Sequence, residues 1–223
     1  MPRRTHLAVR LANQATPDTL LDRLRDSYGH TGAKGNHIEV PRQEQPAFLQ
    51  VHTTKTLPLS IKDWAWDLFE RNMRSFYEAT EEGYNAAEKR AELFHPDSRF
   101  LVLFPSAPSS TAPPPTPLGC CIFRFDTEET ASEDDEELCD VAYCYELQVE
   151  AATQGKGVGR VLMDALDRLA GAFKMDKTML TVFKANRPAI LFYEKLGYTE
   201  DEIDPGTFGV EDVEYWILSK PCS

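Results

Sequence analysis

The stretch Gln154 to Arg160, QGKGVGR, sets three glycines and two cations in seven positions, directly ahead of the apolar run Val161, Leu162 and Met163. A helix starting there leaves backbone N–H groups without intrahelical partners and carries partial positive charge, so it suits phosphate where side chains do not block the approach. Gly155, Gly157 and Gly159 remove that obstruction, Lys156 and Arg160 add charge, and Gln154 offers an amide donor. A nucleoside-triphosphatase loop would need Ser or Thr behind a Gly-Lys pair, which is missing here. A dinucleotide fold would need G-x-G-x-x-G and an acidic residue closing the next strand, where Phe183 and Lys184 stand. Two readings remain: a plain glycine-rich turn into a helix, and the pattern Q/R-x-x-G-x-G/A, which Gln154, Gly157 and Gly159 satisfy.

The elements around this turn follow from apolar spacing. VAYCYELQVE (141–150) reads as a strand leading into it, Val158 to Phe173 as an amphipathic helix, TMLTVF (178–183) as a buried strand, Arg187 to Leu196 as a helix and VEYWILS (213–219) as a last strand. Upstream, Leu59 to Tyr84 predicts a long helix with Ser60 as its N-cap, and Asn85 to Phe94 a second helix stopped by Pro96. RFLVLF (99–104) and LGCCIFRFD (118–126) predict two strands joined by a Pro- and Ser-rich loop at 105–117. TEETASEDDEELCD (127–140) holds eight of the 36 acidic residues and reads as a solvated excursion that could also attract a basic partner. Before residue 59, PDTLLDRLRDSY predicts a short helix on a mobile leader, and AFLQVHT an edge strand. The expectation is a mixed α/β domain over 59–220, with insertions at 105–117 and 127–140 and a leader and edge segment, 1–58, packing on it.

Composition narrows the partners. The formal net charge of −12 argues against direct nucleic-acid binding, which needs a basic surface, and leaves either a cationic partner or plain solubility. Five cysteines without a C-x-x-C pair predict a reducing compartment, and five scattered histidines predict no metal site. No run of 18 apolar residues occurs, so no membrane association is expected, and the cytoplasm and nucleus are the expected locations.

The residues flanking the turn extend the pattern. YCYELQVEAATQGKGVGR places a strand before it, and TVFKANRPAILFYEKLGY supplies an Asn-x-x-Ala-x-x-x-Tyr stretch and a Phe-Tyr-x-x-x-Gly-Tyr ending. Together they resemble the GNAT N-acetyltransferase superfamily, and DWAWDLFERNM, FRFD, YCYE, MLTVFK and EYWILS look like its N-alpha-acetyltransferase D type over about Ile61 to Lys220. The resemblance implies a mostly antiparallel central sheet flanked by helices, with strands splayed at an acetyl-CoA site. It implies acetyl-CoA as co-substrate, held by the backbone of Leu147, Gln148 and Val149, by Gly155, Lys156, Gly157, Val158, Gly159 and Arg160 at the pyrophosphate, and by Asn186. It implies a histone N-terminal tail beginning Ser-Gly-Arg-Gly as acceptor, contacted by Tyr77, Asp126, Tyr145, Thr181 and Tyr215, and an enzyme acting as a monomer. An amine attacks a thioester only when unprotonated, so a base is needed; Glu146, among Tyr143, Tyr145 and Leu147, is the candidate, because partial desolvation would raise its pKa. Tyr193 matches the superfamily tyrosine that can protonate the leaving thiolate, although a core tyrosine fits the position equally. A polyamine acetyltransferase and a non-catalytic acyl-CoA or histone-tail binding module are the alternatives.

Overall fold

The computed structural model describes residues 6–30, 35–40, 47–105, 115–132, 138–210 and 212–222. Eight strands form one sheet: β1 (Ile38–Val40), β2 (Ala47–Thr53), β3 (Arg99–Phe104), β4 (Gly119–Glu129), β5 (Leu138–Val149), β6 (Lys177–Phe183), β7 (Thr199–Glu200) and β8 (Tyr215–Pro221). Their order is β1-β2-β3-β4-β5-β6-β8-β7, and every pairing is antiparallel except β5 with β6. The mixed, mostly antiparallel architecture expected from the sequence is present. No helix among the described residues is long and apolar enough to cross a membrane.

The helices divide between the two faces according to their apolar spacing. Helix α5 (Val158–Ala172) buries Val158, Leu162, Met163, Ala165, Leu166, Leu169 and Ala170, a stripe at three- and four-residue steps that packs on β3, β4 and β5. The same core receives α1 (Leu7–Gln14), α2 (Pro17–Ser27) and Ile190 and Tyr193 of α6 (Arg187–Lys195). On the opposite face, α3 (Leu59–Glu78) and α4 (Ala86–Leu93) bury Ala65, Phe69 and Leu93 against Phe100, Val102 and Ile122.

Several expectations need correction. The leader is not a mobile appendage over its described residues: Thr16 caps α2, and Leu20, Leu21 and Leu24 are fully buried against the core. AFLQVHT is not an edge strand, because β2 lies between β3 and β1, and the three-residue β1 forms the edge. Helix α3 starts behind Pro58, whose fixed backbone sets the first turn without a side-chain cap, so Ser60 lies inside it; the helix ends at Glu78, before Gly83 turns at φ 72°. The acidic excursion is shorter than 127–140, since Thr127, Glu128 and Glu129 pair with Asp140, Cys139 and Leu138 as extensions of β4 and β5. Asp140 is buried and its carboxylate meets His6 Nδ1 at 2.6 Å. Residues 133–137 and 106–114, at the centres of the two expected insertions, lie outside the described residues.

Two irregularities in β5 create the site. Ile122 stands opposite Glu146 and Phe123 opposite Cys144, so Tyr145 is the extra residue of a β-bulge. Side chains alternate faces along a strand, and one inserted residue reverses the alternation. Ala142 and Cys144 therefore face the α5 core, but beyond the bulge Leu147 and Val149 do, which turns Glu146 and Gln148 toward α3 and α4. The second irregularity is a parting of strands. Strand β6 pairs with β5 only from Val141 to Cys144, while its own Thr181, Val182 and Phe183 pair with β8 alone.

Candidate active site

The parting of β5 from β6 opens a cleft of about 720 Å³, walled by β5 and β6, by α3 and α4, and by the start of α6. Eight of the residues singled out from the sequence line it: Tyr77, Tyr145, Glu146, Leu147, Gln148, Thr181, Asn186 and Tyr193. Asp126, Val149, Tyr215 and the turn Gly155–Arg160 do not form its wall. On β4, Glu128 lines the cleft in place of Asp126, whose carboxylate instead accepts the Thr127 N–H at 2.9 Å. On β8 it is Ile217, two residues beyond Tyr215, that reaches the wall.

Glu146 is only 6% exposed. Tyr143 and Tyr145 share the cleft wall with it, as expected, while Leu147 faces the α5 core; the groups that set its charge are Lys89 and Gln148. Gln148 Nε2 donates to its Oε2 at 2.7 Å, and Lys89 Nζ lies 3.3 Å from its Oε1. Burial pushes the carboxyl above the usual carboxylate range, and Lys89 and Gln148 offset that only in part. A carboxylate whose pKa is moved toward neutrality is suited to accepting a proton near pH 7. Gln148 is itself fixed, since its Oε1 accepts from Asn72 Nδ2 at 2.9 Å, and Asn72 also donates to the Val149 carbonyl at 3.3 Å. At the end of the strand Glu150 accepts from Trp64 Nε1 at 2.8 Å and from Arg71 at 3.0 Å. Side chains of α3 thus hold the half of β5 that has left β6.

The aromatic wall is Tyr77, Tyr84, Tyr145 and Phe183. Tyr77 meets Phe183 edge-on at 4.9 Å, and burial pushes its hydroxyl up to about 12. Tyr145 lies beneath Arg124, whose guanidinium is 4.0 Å from the ring centre. Thr181 accepts or donates a hydrogen bond to the Tyr143 hydroxyl across the β5–β6 junction. Tyr193 is 8% exposed, packs edge-on to Phe192 and Tyr198, and burial raises its pKa, so its phenol stays protonated through the physiological range. It is both a core residue and a cleft residue.

At the glycine turn, Gly155 and Gly157 adopt φ 74° and 83°, and a Cβ on either would meet no atom within 4 Å. Their glycine identity is required by backbone conformation, and the space above them is open. The first N–H of α5 bonded within the chain is that of Val161, to Gly157 O at 3.1 Å, so those of Val158, Gly159 and Arg160 have no intrahelical partner. With Lys156 and Arg160 beside them, these donors fit a diphosphate. Gly159 serves a different purpose from the one expected. A Cβ there would stand 3.0 Å from Phe192 Cζ, so this glycine allows α5 to approach α6. Gln154 is committed in part, donating to the Val149 carbonyl at 3.3 Å.

Sequence reasoning did not find Lys89, Asn72, Glu128 or the Glu150 clamp. Lys89 and Glu146 are far apart in the chain, and the helical spacing of Asn85 to Phe94 marks Lys89 only as an exposed position. Nothing in the sequence marks Gly119 either, where a Cβ would lie 2.6 Å from Gln148 O and 2.9 Å from Val158 Cγ1.

The sequence model of the Acetyltransferase (GNAT) family matches residues 59–198. The chain belongs to this family, whose members transfer an acetyl group from acetyl-CoA, and it is an acetyltransferase of that type. Similar folds occur in the GNAT domain of S. lividans PAT, at TM-score 0.54 and 15% identity over 83% of this chain and 96% of that one. The Arabidopsis thaliana NAA60 structure with a bisubstrate analogue gives TM-score 0.53 and 11% identity over 78% and 99%. The Thermoplasma acidophilum paiA N-acetyltransferase in complex with coenzyme A gives 0.50 and 14% over 78% and 98%. At these identities the likeness is one of fold.

Proposed function

We propose that the protein is an N-terminal α-amino acetyltransferase of the N-alpha-acetyltransferase D type, acting as a monomer in cytoplasm and nucleus on core-histone tails beginning Ser-Gly-Arg-Gly. The observation that carries this reading is the cleft itself: Glu146 stands in its floor, and Glu82, Glu88, Glu92 and Glu128 line its walls. An α-amine titrates near pH 8 and a lysine near 10.4, so the former asks less of a carboxylate base than the latter. Glutamates around the cleft favour a peptide whose third residue is cationic.

Acetyl-CoA supplies the acetyl group activated as a thioester. The free backbone of β5 at Leu147 and Val149, the α5 start with Lys156 and Arg160, and Asn186 are the residues that would hold it. Glu146 takes the proton the substrate amine gives up, and the buried, protonated hydroxyl of Tyr193 is the donor available to the leaving sulfur.

The acidic wall would also suit a polyamine, which is the second reading. Initial rates with acetyl-CoA separate the two: a free Ser-Gly-Arg-Gly peptide, the same peptide blocked at its amine, and spermidine. Turnover of the free peptide alone supports the proposal. Turnover of spermidine without the peptide rejects it, and binding of acetyl-CoA with no product from any amine points to a binding module.

A further inference from the structure

Among the described residues that line the cleft, Lys89 is the sole cation. A lysine in a cleft whose other charged lining residues are all glutamates needs a reason, since it competes with any cationic substrate. Its placement is deliberate in the chain. Asn85 caps α4 by accepting from the N–H groups of Ala87 and Glu88 at 3.1 and 3.3 Å, and the Lys89 N–H closes the first turn on Asn85 O at 3.0 Å. The side chain, 12% exposed, lies 4.9 Å from the Tyr77 ring centre and 5.6 Å from that of Phe69, so aromatic faces guide it inward. It ends between two carboxylates, 2.7 Å from Glu92 Oε2 and 3.3 Å from Glu146 Oε1.

Glu92 is 40% exposed, so it could be solvated without help; Glu146, at 6%, could not. A buried carboxylate without a counter-charge takes up a proton instead of remaining ionised. The other titratable groups facing Glu146 offer no positive charge: Glu92 from α4, Tyr77 from α3, Cys120 from β4 and Tyr193 from α6. Gln148 orients Oε2 but is neutral, and its amide cannot turn over without losing Asn72 as well. The two oxygens of Glu146 thus have different holders, an amide on one and an ammonium on the other.

We propose that Lys89 is a positioning residue for the transfer: its ammonium, lodged against Tyr77 and Phe69, holds Glu146 ionised and oriented so that the carboxylate can receive the proton of the incoming amine. The inference rests on the assignment of Glu146 as base. Lys89 touches neither the amine nor the acetyl group, and it acts only through Glu146.

The test is the pH dependence of kcat/KM for the parent, Lys89→Met, Lys89→Arg, Glu146→Gln and the double variant Lys89→Met/Glu146→Gln, using the Ser-Gly-Arg-Gly peptide, or spermidine if that is the amine turned over. Lys89→Met should move the acidic limb up by ~1–3 pH units, lose activity at pH 7 and regain it in alkali. Lys89→Arg should keep most of the parent profile, and adding Lys89→Met to Glu146→Gln should cost nothing further. Glu92→Gln provides an independent arm if Lys89→Met does not fold. Removing this negative neighbour should move the limb down or leave it in place, the opposite of Lys89→Met. A Lys89→Met profile with the parent's limb, an equal loss in both backgrounds, or an upward limb in Glu92→Gln would overturn the inference while leaving Glu146 as base. A Glu146→Gln enzyme as fast as the parent would remove the base assignment, and the Lys89 inference with it.

Discussion

Replacing Gly157 by alanine strains the glycine turn without filling any space. At φ 83° an alanine pays the left-handed penalty of roughly 1–2 kcal/mol. No atom lies within 4 Å of the new Cβ, so no clash adds to it. If the turn keeps its shape, the penalty appears as lost stability, a fall in Tm of roughly 2–8 °C for a chain of this size. If the turn relaxes toward negative φ, the N–H groups of Val158 and Gly159 lose their common aim, and the same 1–2 kcal/mol appears as a ~5–30-fold weaker acetyl-CoA Kd. Gly29→Ala is the control, because Gly29 has φ 76° and equally open surroundings but lies at the end of α2. Calorimetric titration with acetyl-CoA, alongside thermal melts, should show the penalty of Gly157→Ala as weaker binding, as an earlier melt or divided between the two, and that of Gly29→Ala in the melt alone. A Gly157→Ala variant that both melts with the parent and binds acetyl-CoA with the parent's affinity, a turn relaxed at no expense to binding, would refute the claim that this turn grips the diphosphate.

Three further outcomes are expected. Gly119→Ala should destabilise by roughly 1–3 kcal/mol, read by denaturant unfolding, because its Cβ would press on a backbone oxygen 2.6 Å away that cannot rotate aside. Asp201 is buried, with Lys177 Nζ at 2.8 Å; burial raises its carboxyl pKa, but Lys177, Ser219 and the Ile203 N–H more than reverse that, so the net shift is downward. Its stabilisation is therefore present above the ordinary aspartate pKa and is lost as pH falls through the lowered one. Asp201→Asn should cost roughly 1–3 kcal/mol at pH 7, less than a fully isolated pair because Glu202 stays 3.4 Å from Lys177, and the gap to the parent should close in melts below about pH 4. Glu128→Gln should lower kcat/KM for the cationic peptide at low salt, flatten its salt dependence and leave kcat nearly unchanged.

The chain's own pattern reveals the frame better than the site. RFLVLF is β3 to the residue, and the stripes of α5 and α6 are plain because a single core-facing side recurs every three or four positions. The glycine turn is legible because Gly155 and Gly157 stand where backbone geometry admits little else. The bulge at Tyr145 left no such trace, since an inserted residue reverses a strand's facing without altering its composition, and it is this reversal that turns Glu146 away from the α5 core, where Ala142 and Cys144 face, and toward Lys89. Asp126 and Glu128 share a face of β4, so alternation alone could not say which of them reaches the cleft. Helix α1 and strand β1 are too short for a period to show, and they are held by tertiary packing.

The proposed activity is defined by which nitrogen receives the acetyl group. A synthetic peptide beginning Ser-Gly-Arg-Gly and carrying one internal lysine, incubated with the full chain and acetyl-CoA and sequenced by tandem mass spectrometry, reads this out. The mass increase is predicted on the serine α-amine, and it should be abolished by prior blocking of that amine. Acetate found on the lysine, with the α-amine untouched, would contradict it.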